Sequence, residues 1–314
     1  MPTNNEALIE GQPGDWFAGL ARRRSAARTS ANWRWLLSAG ILLPGLALLW
    51  FTAALSGKLI TILAVAGLIM AGIWGYQPIA DANKSAARHG QAVTGDSFGL
   101  AYRGEVEAGT EFAAARRFGL VPDYMRATFG HHWFGQLKGH DVSIYDAHLE
   151  TKRGSGKSQQ WNTAFRGAIV RMEFGDDVGA TTLLQRAGAH RTLLGLGASR
   201  DSINPDGHRL DRVDQIDPEF AEVFSVFSDD AGAARAVVKP AYVARLLELE
   251  SALGAQELRA LFTQRTLIIA VEGGSFSATG HPAAFSALSG LAEAINRAGR
   301  VKVASVAPQS APEQ

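Results

Sequence analysis

The chain has 314 residues, a net charge of +1 and no cysteine. The missing thiols exclude disulfides, thiolate metal sites and cysteine nucleophiles. The near-neutral balance leaves no nucleic-acid footprint, and the length holds a membrane segment plus one or two folded domains.

Residues 1–34 form a basic cytoplasmic leader. Met1–Asp15 is polar with Gly and Pro, and Trp16, Phe17 and Leu20 precede Arg22, Arg23, Arg24, Arg28 and Arg34. Two readings stay open. The leader is a short interfacial helix with its arginines on anionic headgroups, or a disordered basic segment that only sets topology.

Residues 35–76 are almost wholly apolar, with Lys58 as their single charge. Two runs, 35–56 and 59–76, each supply about 18–22 residues, against roughly 20 needed to cross a hydrocarbon core about 30 Å thick. The short connection at Ser56-Gly57-Lys58 makes them an antiparallel transmembrane hairpin. Trp33, Trp35, Trp50, Trp74 and Tyr76 lie near the span ends, where amphipathic rings favour the headgroups. Pro44 would cost about 3 kcal/mol in a water-exposed helix, but neighbouring groups re-satisfy the freed carbonyl inside a membrane. A hairpin buried in a globular core is disfavoured by two adjacent uncharged runs of this length. A cleaved signal peptide is disfavoured by the late start and the second run. Gly67, Ala71 and Gly75 recur every four residues and permit close helix packing, against the first helix of the hairpin or in a dimer face. The arginine-rich leader, with Lys84 and Arg88 after the second span, puts both termini in the cytoplasm.

Residues 77–110 read as a helical exit and linker, 111–304 as a soluble α+β domain, and 305–314 as a disordered tail. Glu111–Phe118 is a predicted helix, stopped by Gly119 and Pro122. Trp133–Leu137 and Val142–Leu149 are predicted strands about Lys138-Gly139-His140. In Trp161–Phe174, Ala168, Val170, Met172 and Phe174 share one face while Ile169, Arg171 and Glu173 share the other. Thr181–Gln185 and Leu210–Ile216 are further strands. Asp217 caps a helix with Pro218 at its first position. Phe224–Phe227 is a helix end or a strand, and Ser228, Asp229 and Asp230 can cap the segment after it. Pro240–Leu253 carries Tyr242, Leu246, Leu249 and Leu253 on one stripe and ends at Gly254. Thr266–Val271 is a buried strand and Ala283–Ala298 an amphipathic helix. Strands succeeded by helices give an α+β fold with a mixed, mainly antiparallel sheet and packed helices.

Gly154-Ser155-Gly156-Lys157-Ser158 ends like a phosphate loop. Thr151 stands where that motif needs glycine, and strands flank the run where the motif needs a helix, so it is a hairpin tip. His131, His132 and His140, with Asp141 or Asp146, match no metal-ligand spacing and read as surface loop histidines. Asp146, His148 and Glu150 alternate on one strand face, which suits acid–base work and equally suits any half-solvated strand. Asp229 or Asp230 is the group from elsewhere that would complete such a site. Asp229-Asp230 with Arg235 could bind a cation or phosphate, or cap a helix. The acidic run Asp211–Asp230 reads as a solvated face. Ser143 and Ser155 lack a nucleophile-elbow context. No cofactor is implied.

LVPDY (Leu120–Tyr124), YDAHLE (Tyr145–Glu150), AFRG (Ala164–Gly167), DPEFAEVFSVFSDD (Asp217–Asp230), AAR (Ala233–Arg235) and KPAYVARLLELE (Lys239–Glu250) come after the two apolar runs in order. This arrangement resembles the bacterial membrane proteins grouped as domain of unknown function 3137. The resemblance implies an inner-membrane protein with an α+β domain, and supplies no activity or catalytic residue. The motif residues are mostly packing and turn positions such as Phe165, Gly167, Phe220, Phe224 and Pro240. The functional expectation is therefore a membrane-anchored binding or scaffold module whose partners are the lipid bilayer and a protein or second copy. The alternative is an enzyme using the Asp146/His148/Glu150 face. A channel or transporter is a distant third, since no intramembrane charge marks a pathway.

Overall fold

The computed structural model describes residues 13–51, 57–154, 159–174, 179–187, 201–214, 218–277 and 282–306. Side chains are described for these except 13–24, 46, 49–51, 57, 60, 218–220 and 297–306. The chain divides into two compact units, Met1–Gly90 and Gln91–Gln314.

The first unit is built on helices α1 (Pro13–Phe51) and α2 (Gly57–Asp96), the last residues of α2 belonging to the second unit. The leader is helical from Pro13 and continuous with the first apolar run, so it forms no separate short helix. The two helices pack antiparallel through the small residues of α2. A Cβ on Gly67 would lie 2.6 Å from Leu42, and one on Gly75 would lie 2.7 Å from Trp35. Ala71 is buried. Arg34 donates to the Trp74 carbonyl at 3.1 Å and stacks over its ring at 5.2 Å. Intrahelical spacing thus serves the pairing of α1 with α2, the first of the two uses that the small-residue stripe allowed. Away from that seam Ile41, Leu43, Leu48, Leu68 and Met70 are more than half exposed. Among the described residues one helix, Thr61–Asp96, is long and apolar enough to cross a membrane.

The second unit is a ten-stranded sheet. Its strands are β1 (Leu100–Arg103), β2 (Arg126–Leu137), β3 (His140–Arg153), β4 (Gln160–Glu173), β5 (Thr182–Arg186), β6 (Ser202–Ile203), β7 (Leu210–Arg212), β8 (Phe224–Ser228), β9 (Glu257–Thr263) and β10 (Thr266–Glu272). They lie in the order β1-β2-β3-β4-β10-β9-β5-β8-β7-β6, and every described pairing is antiparallel. The helices are α3 (Thr110–Arg117), α4 (Pro218–Val223), α5 (Ala231–Val237), α6 (Pro240–Leu253) and α7 (Pro282–Val306).

Each face of the sheet has its own core. Ile144, Ala168, Val170, Met172, Leu267, Ile269 and Val271 meet α6 and α7 through Leu246, Leu249, Leu288 and Leu291. Tyr145, Ala147, Phe165, Ile169, Ile268 and Ala270 meet α3 through Phe112 and Ala115. Strand β10 is buried on both faces, which is why its sequence is a continuous apolar run without alternation. Helix α6 starts at Pro240 and ends on Gly254 in the left-handed conformation, φ 59°, as its flanking residues predict. Asp230 caps α5, accepting from the N–H groups of Gly232 and Ala233.

Several expectations are adjusted. Lys138 and Gly139 both take positive φ, giving a two-residue turn, and His140 is already the first residue of β3. Strand β2 starts at Arg126, well before Trp133, because a bulge between Gly130 and Trp133 breaks its alternation. Strand β1 lies within the segment read as linker, and α2 runs helical through Pro78 to Asp96. Of the strand expected over Leu210–Ile216, the described part is strand β7 as far as Arg212, and Gln215, Ile216, Asp217 and the tail after Val306 lie outside the described residues. Phe224–Phe227 is strand β8.

Candidate functional site: the outer face of the β3–β4 hairpin

Strands β3 and β4 outrun their neighbours. β10 pairs with β4 only from Gly167 to Glu173. β2 pairs with β3 only as far as Arg126↔Glu150. Beyond that point, among the described residues, Thr151–Arg153 and Gln160–Asn162 pair only with each other. They form a two-stranded ribbon reaching about 10 Å past the sheet, at roughly 3.3 Å per residue. The intervening residues 155–158, including most of the Gly-Ser-Gly-Lys run, lie outside the described set, and strands flank them on both sides. A phosphate loop needs a helix after it, whereas strand β4 follows from Gln160.

A register shift between Leu149 and Glu150 decides what the ribbon presents. Because directly opposed residues share a face, the shift sets Glu150 opposite Thr163 and Lys152 opposite Trp161. Arg126 lies across from Glu150 and Arg166 across from His148. One face therefore gathers Arg126, His148, Glu150, Lys152, Trp161 and Arg166. Trp161 is 43% exposed. The Arg126 guanidinium lies 4.6 Å and the Lys152 ammonium 4.9 Å from its ring centroid. Such cation–π contacts contribute about 0.5–1 kcal/mol each at exposed sites. Arg126 also donates to Glu150 Oε2 at 2.7 Å through Nε, and its Nη2 is ion-paired with the same oxygen at 2.5 Å. His148 Nε2 is 3.0 Å from Thr163 Oγ1. Met125, just before β2, is 68% exposed.

The three alternating residues of the acid–base reading have separate employments. Asp146 lies on the inner part of the same face. Its carboxylate accepts from Ser275 Oγ at 2.6 Å and from the Phe276 N–H at 3.3 Å, which fastens the turn after β10. Burial raises its pKa, opposed by the hydrogen bonds of Ser275 and Ser277, the charge of His131 and the Phe276 N–H. Glu150 is ion-paired and His148 bonds to a threonine. Asp229 is not brought to them. It comes directly after β8, five strands from β3 in the sheet order, which at about 4.8 Å per strand is roughly 24 Å. There it accepts from Thr181 N–H at 2.8 Å and meets His208 Nε2 at 3.0 Å. Burial works to raise the Asp229 pKa, but the His208 and Thr181 hydrogen bonds outweigh it and hold it below the usual value. Asp230 is spent on the α5 cap, and Arg235 donates to the Asp214 carbonyl at 3.3 and 3.1 Å.

The histidines are strand residues, not loop residues. At the β2 bulge His131 takes φ 54°. His131 Nδ1 lies 2.9 Å from Tyr102 Oη. His132 Nε2 lies 2.9 Å from Ser143 Oγ. Burial first, then Arg103, lowers the His132 pKa, with Glu111 opposing. His140 is buried, its ring nitrogens 2.7 Å from the Glu173 carbonyl and 3.0 Å from Asn296 Oδ1. Among the described residues no group of three His, Cys, Asp or Glu side chains could hold a metal ion. Sequence reasoning missed the ribbon face because Lys152 and Trp161 become neighbours only through the register of two strands.

The unit is thus an α+β domain on a large antiparallel sheet, with a cationic and aromatic ribbon at one end. Residues 163–293 match the family described as Protein of unknown function (DUF3137), which bears out the resemblance seen in the motifs. The matched span includes Phe165, Gly167 and the Pro240–Leu253 helix, while the LVPDY and YDAHLE motifs precede it. No curated protein matches the chain. One similar solved structure is the crystal structure of the mycobacterial trehalose monomycolate transport factor A, TtfA. The likeness is 15% in identity with a TM-score of 0.38, over 72% of this chain and 98% of that one.

Proposed function

We propose that the protein is a membrane-anchored binding or scaffold module. Both apolar helices cross the bacterial inner membrane, both termini are cytoplasmic, and the α+β unit presents its ribbon face to a partner. That partner is a protein, a second copy of the chain or the bilayer itself. The apolar side chains exposed along α1 and α2 support the membrane part, since a patch of that extent is rarely left in water. The arginine-rich leader against the lone Lys58 supports the orientation.

The observation that carries the binding part is Trp161, exposed and flanked by Arg126 and Lys152 on a strand pair that leaves the sheet. A tryptophan held by two cations at a protruding edge has the composition of a recognition surface, in which Trp and Arg dominate. An acid–base site would instead enclose His148 with a second carboxylate.

A photocrosslinking residue at Thr163, on the same face as Trp161, irradiated in the full chain in native membranes, tests the reading. A discrete adduct is expected, lost in Trp161→Ala and retained in His148→Ala. No adduct at Thr163, or one that depends on His148 and not on Trp161, would overturn it.

A further inference from the structure

The β3–β4 ribbon has the chemistry of a lipid-headgroup anchor. Against Arg126, Lys152, Arg153 and Arg166 the end of the hairpin sets one carboxylate, Glu150, already bound to Arg126. Lys152, Arg153 and Arg166 are exposed. The nearest other acid in the chain leading into β2, Asp123, is paired with Arg116 at 3.4 Å. Beside these cations stand two exposed apolar side chains, Trp161 and Met125. Tryptophan favours the headgroup level because its ring is apolar while its N–H needs a polar partner. Clustered Lys and Arg are drawn to the anionic leaflet within a Debye length of its surface. A protein partner for such a strip would need a matching acidic groove, whereas an anionic bilayer supplies both the charge and the apolar depth. The chain also carries a helix of membrane-crossing length, so the domain works at high effective concentration near a bilayer and a weak surface contact suffices.

We infer that the ribbon face formed by Arg126, Lys152, Trp161 and Arg166 docks on the anionic headgroups of a membrane surface. The inference rests on reading the hairpin end as a binding face and names its partner.

The absence of cysteine makes the test specific, because one introduced thiol is unique in the chain. Thr163→Cys, on the same face as Trp161, is labelled in the full chain with an environment-sensitive fluorophore and placed in nanodiscs of phosphatidylcholine, with or without phosphatidylglycerol. Co-elution of protein with discs reports the membrane anchor separately from the ribbon. Expected is a severalfold fall in quenching by neutral acrylamide in the anionic discs only. The protection disappears at high salt, in Lys152→Glu/Arg166→Glu and in Trp161→Ala, while the melting temperature of each variant stays near that of the parent. Equal quenching in both lipids overturns the inference. So does protection produced by a soluble acidic polypeptide but not by phosphatidylglycerol, which would make the partner a protein. A chain that fails to enter discs contradicts the anchor alone. The inference is then read from sedimentation with phosphatidylglycerol vesicles, and absence of charge-dependent binding there overturns it.

Discussion

Ser275 Oγ donates a 2.6 Å hydrogen bond to Asp146, 129 residues away in sequence, and so ties the turn after the central strand β10 to the face of β3. A carboxylate placed to suggest chemistry is thereby a structural fastener. Its pH dependence comes from its surroundings. Burial raises the Asp146 pKa above its ordinary 3.8, the hydrogen bonds and the charge of His131 acting against it. A carboxyl group whose pKa is higher in the folded state favours folding in acid and withdraws that contribution as pH rises through the folded value.

Asp146→Asn, which keeps the acceptor for Ser275 and cannot ionise, is therefore expected to gain stability relative to the parent as pH goes from acid to neutral. Urea unfolding of the full chain in detergent at a series of pH values measures the difference. A difference that does not change with pH would show that Asp146 titrates as it does in the unfolded chain.

Gly167 sits mid-strand, where glycine is usually unfavourable. An ideal Cβ there would lie 1.9 Å from the Val271 carbonyl oxygen and 2.9 Å from its carbon. The close neighbour is the adjoining strand β10 within the sheet, and the obstacle is backbone, which cannot rotate away. Gly167→Ala gains about 0.4–1 kcal/mol from a stiffer unfolded chain, but overpacking of about 1–3 kcal/mol outweighs it. Gly167→Val falls at or beyond the upper end. An unchanged melting temperature for Gly167→Val would rule out the close approach.

Arg186 and Glu250 form an ion pair beneath α6, with Glu250 only 7% exposed and its Oε1 without a hydrogen-bond partner among the described residues. Arg186 also stacks over Phe224 at 5.1 Å. Arg186→Ala would strand a buried carboxylate, for which losses of about 3–5 kcal/mol are typical. The lower end is expected because the arginine is itself a third exposed. Arg186→Met with Glu250→Leu removes both charges and should recover most of the loss. A double variant as unstable as the single one would show that the pair stabilises in its own right.

The leader arginines and Lys58 set the expected topology. Alkaline phosphatase fused after Gln314 should be inactive and the same reporter inserted at Lys58 active. Activity at Gln314 would reverse the orientation.

The family motifs were legible because they are local. Alternation in Ala168–Phe174 needs only the two-residue period of a strand, and Pro240 and Gly254 carry their own backbone geometry. Strand β9, Glu257–Thr263, was not legible. Its Glu, Leu, Arg and Ala favour helix, and it becomes strand because β10 and β5 flank it and Arg259 finds Glu257, Glu272 and the Leu120 carbonyl. Tertiary context outweighs a propensity difference of a few tenths of a kcal/mol per residue.

The candidate site divides in the same way. Its sequence by itself determined that Asp146, His148 and Glu150 share one side of a strand, since side chains alternate with period two. Only the tertiary structure decided that Asp229 stands five strands away, because β4, β10, β9 and β5 are inserted between β3 and β8 by long-range pairing. It also brought Trp161 onto Lys152, through a one-residue shift between Leu149 and Glu150. Strand order and register are set by contacts distant in sequence, and a shift of one residue moves every later side chain to the opposite face.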